Sequence, residues 1–207
     1  MYIEVFLVGL LAGMSPGPDF FVVLCNSLRF GRHIGVATAI GIGSALMIHI
    51  TYTVLGFAFL LHQHPALFRL VQGLGALYLF WLGYHAVKAS VSELDLHMNK
   101  NTAAQPEKTA VKGFIEGFLC NALNPKATLF FLSVFSQFLS SGTQTWVGWV
   151  YGLEIVIAVA LWFTLLSCLI TNDRFKRLYQ RYSYWFDRIL GAVLIFFAFK
   201  IFVSFFV

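Results

Sequence analysis

Long apolar runs alternate with short polar connections along the chain. A helix spans the hydrocarbon core of a bilayer with about 20 predominantly apolar residues. Six stretches reach that length: Ile3 to Leu28, Gly35 to Leu61, Ala66 to Val87, Val111 to Leu139, Thr145 to Ile170 and Ser183 to Phe206. The one long connection, Ser90 to Ala110 (SVSELDLHMNKNTAAQPEKTA), is polar, contains Pro106 and predicts a flexible linker. The pattern therefore predicts an all-α polytopic membrane protein. A three-helix half over residues 1–89 and a second over 111–207 flank a cytoplasmic linker over 90–110.

Composition removes the soluble alternative. The 207 residues are 59% hydrophobic and only 11% charged, with 23 Phe and 5 Trp, whereas a soluble domain is roughly a quarter charged. The net charge of +5 does not point to nucleic acid, because the basic residues form short clusters between apolar runs rather than one water-facing patch. Arg29 and Arg32 mark the first connection, Lys88, Lys100, Lys108 and Lys112 the third, and Arg174, Lys176, Arg177 and Arg181 the fifth. The second has only Arg69 beside it and the fourth has none. Positive residues stay cytoplasmic, which places the odd connections inside and both termini in the periplasm. Trp146, Trp149, Tyr182, Tyr184 and Trp185 suit interfacial belts. The absence of a basic stretch before the first run, which carries Glu4, predicts that this run stays as a span rather than a cleaved signal. Cys25, Cys120 and Cys168 are isolated in apolar surroundings, a spacing that gives neither a zinc ribbon nor a dithiol couple. No metal or other cofactor is predicted.

Two spans are interrupted near their middles, the first by Ser15-Pro16-Gly17-Pro18-Asp19 and the fourth by Asn124-Pro125-Lys126. Ser or Asn followed by Pro is an N-cap and first-turn signal, so each span should consist of two half-helices. The opened backbone must then face protein or a water-filled cavity. With the first span running inward and the fourth outward, the halves form an inverted pair. Leu74-Gly75-Ala76 and Leu190-Gly191-Ala192, with Phe80 and Phe196 at the same offset, add faint internal similarity. Matched interruptions in inverted halves point to a transporter's midplane site; the plainer alternative is that each Pro only kinks a packed helix.

Charges sharpen this reading. Asp19, Lys126 and Glu154 fall inside spans, where each costs about 2.5–3.5 kcal/mol on an insertion scale, so they should face one another or water. Asp19 suits an ammonium group, and Lys126, at the positive end of its half-helix, suits a carboxylate. Together they meet the needs of a zwitterion, unless they form an ion pair that locks the halves. Glu154 is a candidate to complete the site or carry a coupling proton, or else to pair with Lys126 as scaffolding. His49 could relay protons, but a lone membrane histidine more often hydrogen-bonds a neighbouring helix, and it is read that way here. Glu4, Glu116, Asp187, Arg188 and Lys200 lie near span ends and receive no role. Gly9, Gly13 and Gly17, and Gly113 and Gly117, recur every four residues and predict close packing that brings the two broken helices together. Gly41, Gly43 and Ser44 predict the same for the second span.

The runs Met14-Ser15-Pro16-Gly17-Pro18-Asp19-Phe20-Phe21, Leu77 to Tyr84 (LYLFWLGY) and Asn121-Ala122-Leu123-Asn124-Pro125-Lys126-Ala127 resemble the LysE/RhtB amino-acid exporter family. The resemblance covers essentially the whole chain. Phe131 to Phe138 (FLSVFSQF), Glu154 with Trp162-Phe163-Thr164, and Tyr179-Gln180-Arg181 look closest to its threonine and homoserine exporter branch. It implies an efflux carrier of the bacterial inner membrane, not an enzyme, driven by proton exchange.

The combined expectation is a six-span antiporter that exports a small zwitterionic amino acid by alternating access; formation of a homo-oligomer is left open. Asp19, Lys126, Asn124, Ser15 and Glu154 are the candidate substrate-binding residues, and Pro16, Gly17, Pro18 and Pro125 shape the breaks. The alternatives are an intramembrane electron carrier, which needs a reactive cysteine pair, an intramembrane hydrolase built on Ser15 and His49, and a passive solute channel.

Overall fold

The computed structural model describes residues 2–15, 17–88, 108–139 and 143–204. Pro16, the linker from 90 to 107 and the end of the sixth predicted run at Phe206 therefore lie outside the described residues. Within them there are eight α-helices and no strand: α1 (Tyr2–Met14), α2 (Pro18–Phe30), α3 (Arg32–Gln63), α4 (Pro65–Lys88), α5 (Ala110–Ala122), α6 (Pro125–Phe138), α7 (Thr145–Leu169) and α8 (Asp173–Ser204). By length and composition α3, α4 and α7 are able to cross a membrane, and the bent pairs α1–α2 and α5–α6 bring the number to five. The protein is thus a polytopic, all-helical membrane protein.

The sixth predicted run lies in α8, which starts earlier than the sequence suggests. Asn172 accepts from the Arg174 backbone N–H through its side chain at 2.9 Å, and neither Pro nor Gly follows until Gly191. The basic stretch expected as a connection is therefore helical. Between α2 and α3 the chain turns at Gly31, whose φ of +87° suits glycine; its N–H closes α2 on the Ser27 carbonyl at 3.1 Å.

The long α3 is the central post, packing on α2, α5, α6 and α7, while α1 lies on α7 and α4 lies on α8 and α6. Phe20, Phe57, Phe131, Phe135 and Phe163 fill the interior, whereas Leu55, Phe59, Leu161, Phe196 and Phe199 point outward, as lipid-facing positions do. At the α3–α5 seam the two backbones come close. A Cβ on Gly41 would lie 2.1 Å from the Phe114 carbonyl oxygen, and one on Gly117 would lie 2.1 Å from that of Thr38.

The glycine stripes act differently from the expectation. Gly9 and Gly13 pack against Ile155 and Val159 of α7, and Gly113 and Gly117 against Ile34 and Thr38 of α3. They seat each broken helix on an unbroken neighbour, because only a continuous helix offers a full backbone face to lie on. Gly17 alone meets the other broken helix. The similar glycines also have different partners: Gly191 crosses Gly83, and Gly75 meets Ser133.

Candidate functional site

Both interruptions are real breaks, bending by 61° between α1 and α2 and by 56° between α5 and α6. In the second, Asn124 is the N-cap of α6: its Oδ1 accepts from the Lys126 backbone N–H at 2.9 Å, and Pro125 follows as the first helical residue. In the first, the cap position belongs to Gly17, followed by Pro18, with no side-chain cap. Ser15 does not cap α2 as the sequence suggests, because its hydroxyl is engaged across the break. Asn124→Ala removes both the cap and a cross-helix bond, and is expected to cost about 1 kcal/mol or more, read as a lower melting temperature in detergent.

Each charged side chain is held by the opposite broken span. Asp19, in the first turn of α2, accepts through Oδ2 from Asn121 Nδ2 at 3.0 Å and from Asn124 Nδ2 at 2.9 Å. Lys126, in the first turn of α6, donates from Nζ to Ser15 Oγ at 2.8 Å. Gly17 makes room for this ammonium group, since a Cβ there would sit 3.2 Å from Nζ. The N-termini of α2 and α6 thus meet, and their partial positive ends add to the Lys126 charge on one side of the site. Asp19 keeps Oδ1, and Asn121 keeps its own Oδ1, buried without a hydrogen-bond partner among the described residues.

These groups line a cavity of about 60 Å³, room for a few waters or a small solute. Ser15, Gly17, Asp19, Asn121, Asn124 and Lys126 form its polar side; Phe20, Leu46, Phe130, Phe131, Ile155, Val159 and Phe163 form its apolar wall. Of the predicted site residues, Ser15, Asp19, Asn124 and Lys126 come together here, while Pro18 and Pro125 start the two half-helices. Glu154 is not part of the lining; its neighbour Ile155 is. The Glu154 Oε2 is buried without a hydrogen-bond partner among the described residues, toward the end where Tyr151 stacks edge-on against Tyr2. Ser15 has Lys126 beside it rather than His49. Cys25, Cys120 and Cys168 are free, on three different helices.

Two groupings escaped the sequence reading. Asn121 stands one helical turn before Asn124, and that spacing around a predicted break was the available signal. The second grouping joins the ends of α2, α3 and α5. Asn26 Nδ2 donates to Thr38 Oγ1 at 2.9 Å and to Glu116 Oε2 at 3.2 Å, while Lys108 donates to Asn26 Oδ1 at 2.8 Å and pairs with Glu116. Residues 82 and 90 positions from Asn26 meet there, a distance along the chain that no local pattern spans.

Fold and site together define a polytopic helical membrane protein built around a polar cavity between two broken helices. The chain belongs to the LysE type translocator family, whose model matches residues 10–204. It is 30% identical over 207 residues to the threonine efflux protein of Escherichia coli K12, covering 99% of this chain and 98% of that one. It is 30% identical over 170 residues to the leucine efflux protein of Klebsiella pneumoniae, covering 81% and 76%, and 28% identical over 189 residues to the uncharacterized membrane protein YrhP of Bacillus subtilis, covering 89% and 90%. No solved structure matches the chain significantly.

Proposed function

We propose that this protein exports a small zwitterionic amino acid of the threonine or homoserine type across the bacterial inner membrane by proton-driven antiport. The observation that carries this reading is the buried Oδ1 of Asp19, without a hydrogen-bond partner among the described residues, in a cavity shared with Lys126. A substrate ammonium donates to Asp19 Oδ1 and Asn121 Oδ1, and the substrate carboxylate takes Lys126 and the positive end of α6. The apolar wall leaves space for a short side chain. Efflux proteins for threonine and leucine among the relatives support an amino-acid cargo.

Alternating access follows from two inverted three-helix repeats, residues 1–89 and 111–207, with both termini periplasmic and the linker cytoplasmic. The packing supports this symmetry in part: α3 on α5 is mirrored by α1 on α7, and α3–α7 and α4–α8 each pair equivalent helices. In this orientation the Asn26–Lys108–Glu116 cluster closes the cytoplasmic end and opens when substrate enters. Glu116→Gln removes the carboxylate from the pair. Given that Glu116 is half-exposed, the loss is expected to be about 1 kcal/mol, read as severalfold faster tryptic cleavage after Lys108.

The test is efflux from proteoliposomes loaded with radiolabelled threonine, homoserine or leucine. Faster exit when the outside is acidified supports proton antiport. Equal exit with and without a gradient would favour a channel, and exit no faster than from protein-free vesicles would refute transport of these substrates.

A further inference from the structure

His49, on α3, is 1% exposed, and both of its ring nitrogens are engaged. Nε2 lies 3.1 Å from the Asn121 carbonyl oxygen, Nδ1 lies 2.6 Å from the Tyr52 hydroxyl, and the ring stacks on Phe131 of the cavity wall. A carbonyl oxygen only accepts, so Nε2 carries the hydrogen; in the neutral ring Nδ1 then accepts from Tyr52, and in the imidazolium it donates to the Tyr52 oxygen. The Asn121 carbonyl belongs to the last turn of α5, the partially negative end of that half-helix. The side chain of the same Asn121 donates to Asp19. One residue therefore joins the imidazole to the carboxylate that faces the substrate.

We infer that His49 carries the coupling proton of the export cycle and that an imidazolium there competes with the substrate ammonium for Asp19. This rests on the export reading above. With the site open outward, a proton from outside bonds to Nδ1, and Tyr52 rotates so that its oxygen accepts and its hydrogen turns to the Thr128 hydroxyl beside it. The new positive charge draws on Asp19, the ammonium loses its partner, and the substrate leaves. With the site open inward, the Nδ1–H bond breaks, the proton passes to the cytoplasm, and Tyr52 donates again. One proton enters for each substrate exported, and the neutral ring leaves Asp19 available for the next ammonium.

The ionisable groups around the ring fit this assignment. Asp19 of α2 acts on it electrostatically, Tyr52 lies one turn along α3, and α5 brings Cys120 next to Asn121. Lys126 of α6 borders the same cavity, and α7 presents Ile155 rather than Glu154 to it. Among the described residues, Glu154 has no such hydrogen-bonded line to Asp19.

The test uses full-length protein in proteoliposomes loaded with radiolabelled threonine and two variants, His49→Gln, which keeps a donor for the Asn121 carbonyl, and His49→Asn. The expected result is that at least one variant loses the acceleration of efflux by external acid by about fivefold or more, while threonine–threonine exchange at equal pH stays within about twofold of wild type. Undiminished acid acceleration in both variants would overturn the inference. So would loss of exchange in both, because the ring would then be a packing element. Wild-type exchange without any acid response would overturn proton coupling and leave export standing. A wild-type protein that moves threonine in neither assay would refute threonine export and this inference with it.

Discussion

Asp19→Asn is expected to cut threonine efflux at least about a hundredfold while leaving insertion and melting temperature nearly unchanged. The side chains are isosteric, and the Asn carbonyl oxygen can still accept from Asn121 and Asn124 where Oδ2 does now. Its amide nitrogen then takes the place of Oδ1, so the cavity presents a donor where the substrate ammonium needs an acceptor. Breaking a buried charge pair by removing one partner costs about 3–5 kcal/mol, a factor of about a hundred or more. Lys126→Met, which keeps an unbranched stem over Gly17, should have a loss of similar size. Competition assays distinguish the two. A hydroxy acid lacking the amino group should compete about as well in Asp19→Asn as in wild type, and an amino alcohol lacking the carboxylate should do so in Lys126→Met. Full efflux by Asp19→Asn would remove this cavity as the substrate site.

Gly117→Ala should be among the most damaging of the small-residue changes. The added methyl would lie 2.1 Å from the Thr38 carbonyl oxygen and 2.9 Å from its carbonyl carbon. These are backbone atoms of a continuous helix, so they cannot swing aside as a side chain would. The seam has little slack, because Gly41 of α3 meets the Phe114 carbonyl equally closely from the other direction. Overpacking of this kind costs about 1–3 kcal/mol, or roughly 2–12 °C of melting temperature for a chain of this length at about 2–4 °C per kcal/mol. Because α5 carries Asn121 in its last turn and leads into Asn124, separating α5 from α3 also draws the donors away from Asp19, and transport should fall with stability. Gly56→Ala is the matched control: nothing lies within 4 Å of a Cβ there, and Ala favours the helix by up to about 1 kcal/mol. Equal melting temperatures for the two variants would show that the α3–α5 seam yields.

Much of the site was legible because hydrocarbon permits few arrangements. A Pro-bearing break and an ionisable side chain in an apolar run each demand protein or water around them, and this makes Ser15, Asp19, Asn124 and Lys126 stand out in the sequence. The cap of the first break was misplaced by two residues because Ser15-Pro16 and Gly17-Pro18 are both acceptable starts. The distant Ser15–Lys126 bond decides between them. His49 does bond a neighbouring helix, but its position behind Asp19 depends on how α3 crosses α5. Charge and depth together put Glu154 among the candidates, and neither defines which face of α7 it occupies.

The sequence by itself determined the membrane class, the two broken spans and the chemical types available at the breaks, because each follows from the free energy of placing a residue in lipid. Only the tertiary structure decided that Asp19 is held by Asn121 and Asn124, that Ser15 meets Lys126, that the glycine stripes seat on α3 and α7, and that Glu154 stays off the cavity. Those outcomes depend on the rotation and crossing of helices far apart along the chain. Close packing of side chains and backbones sets that rotation, and no periodicity within a single segment records it.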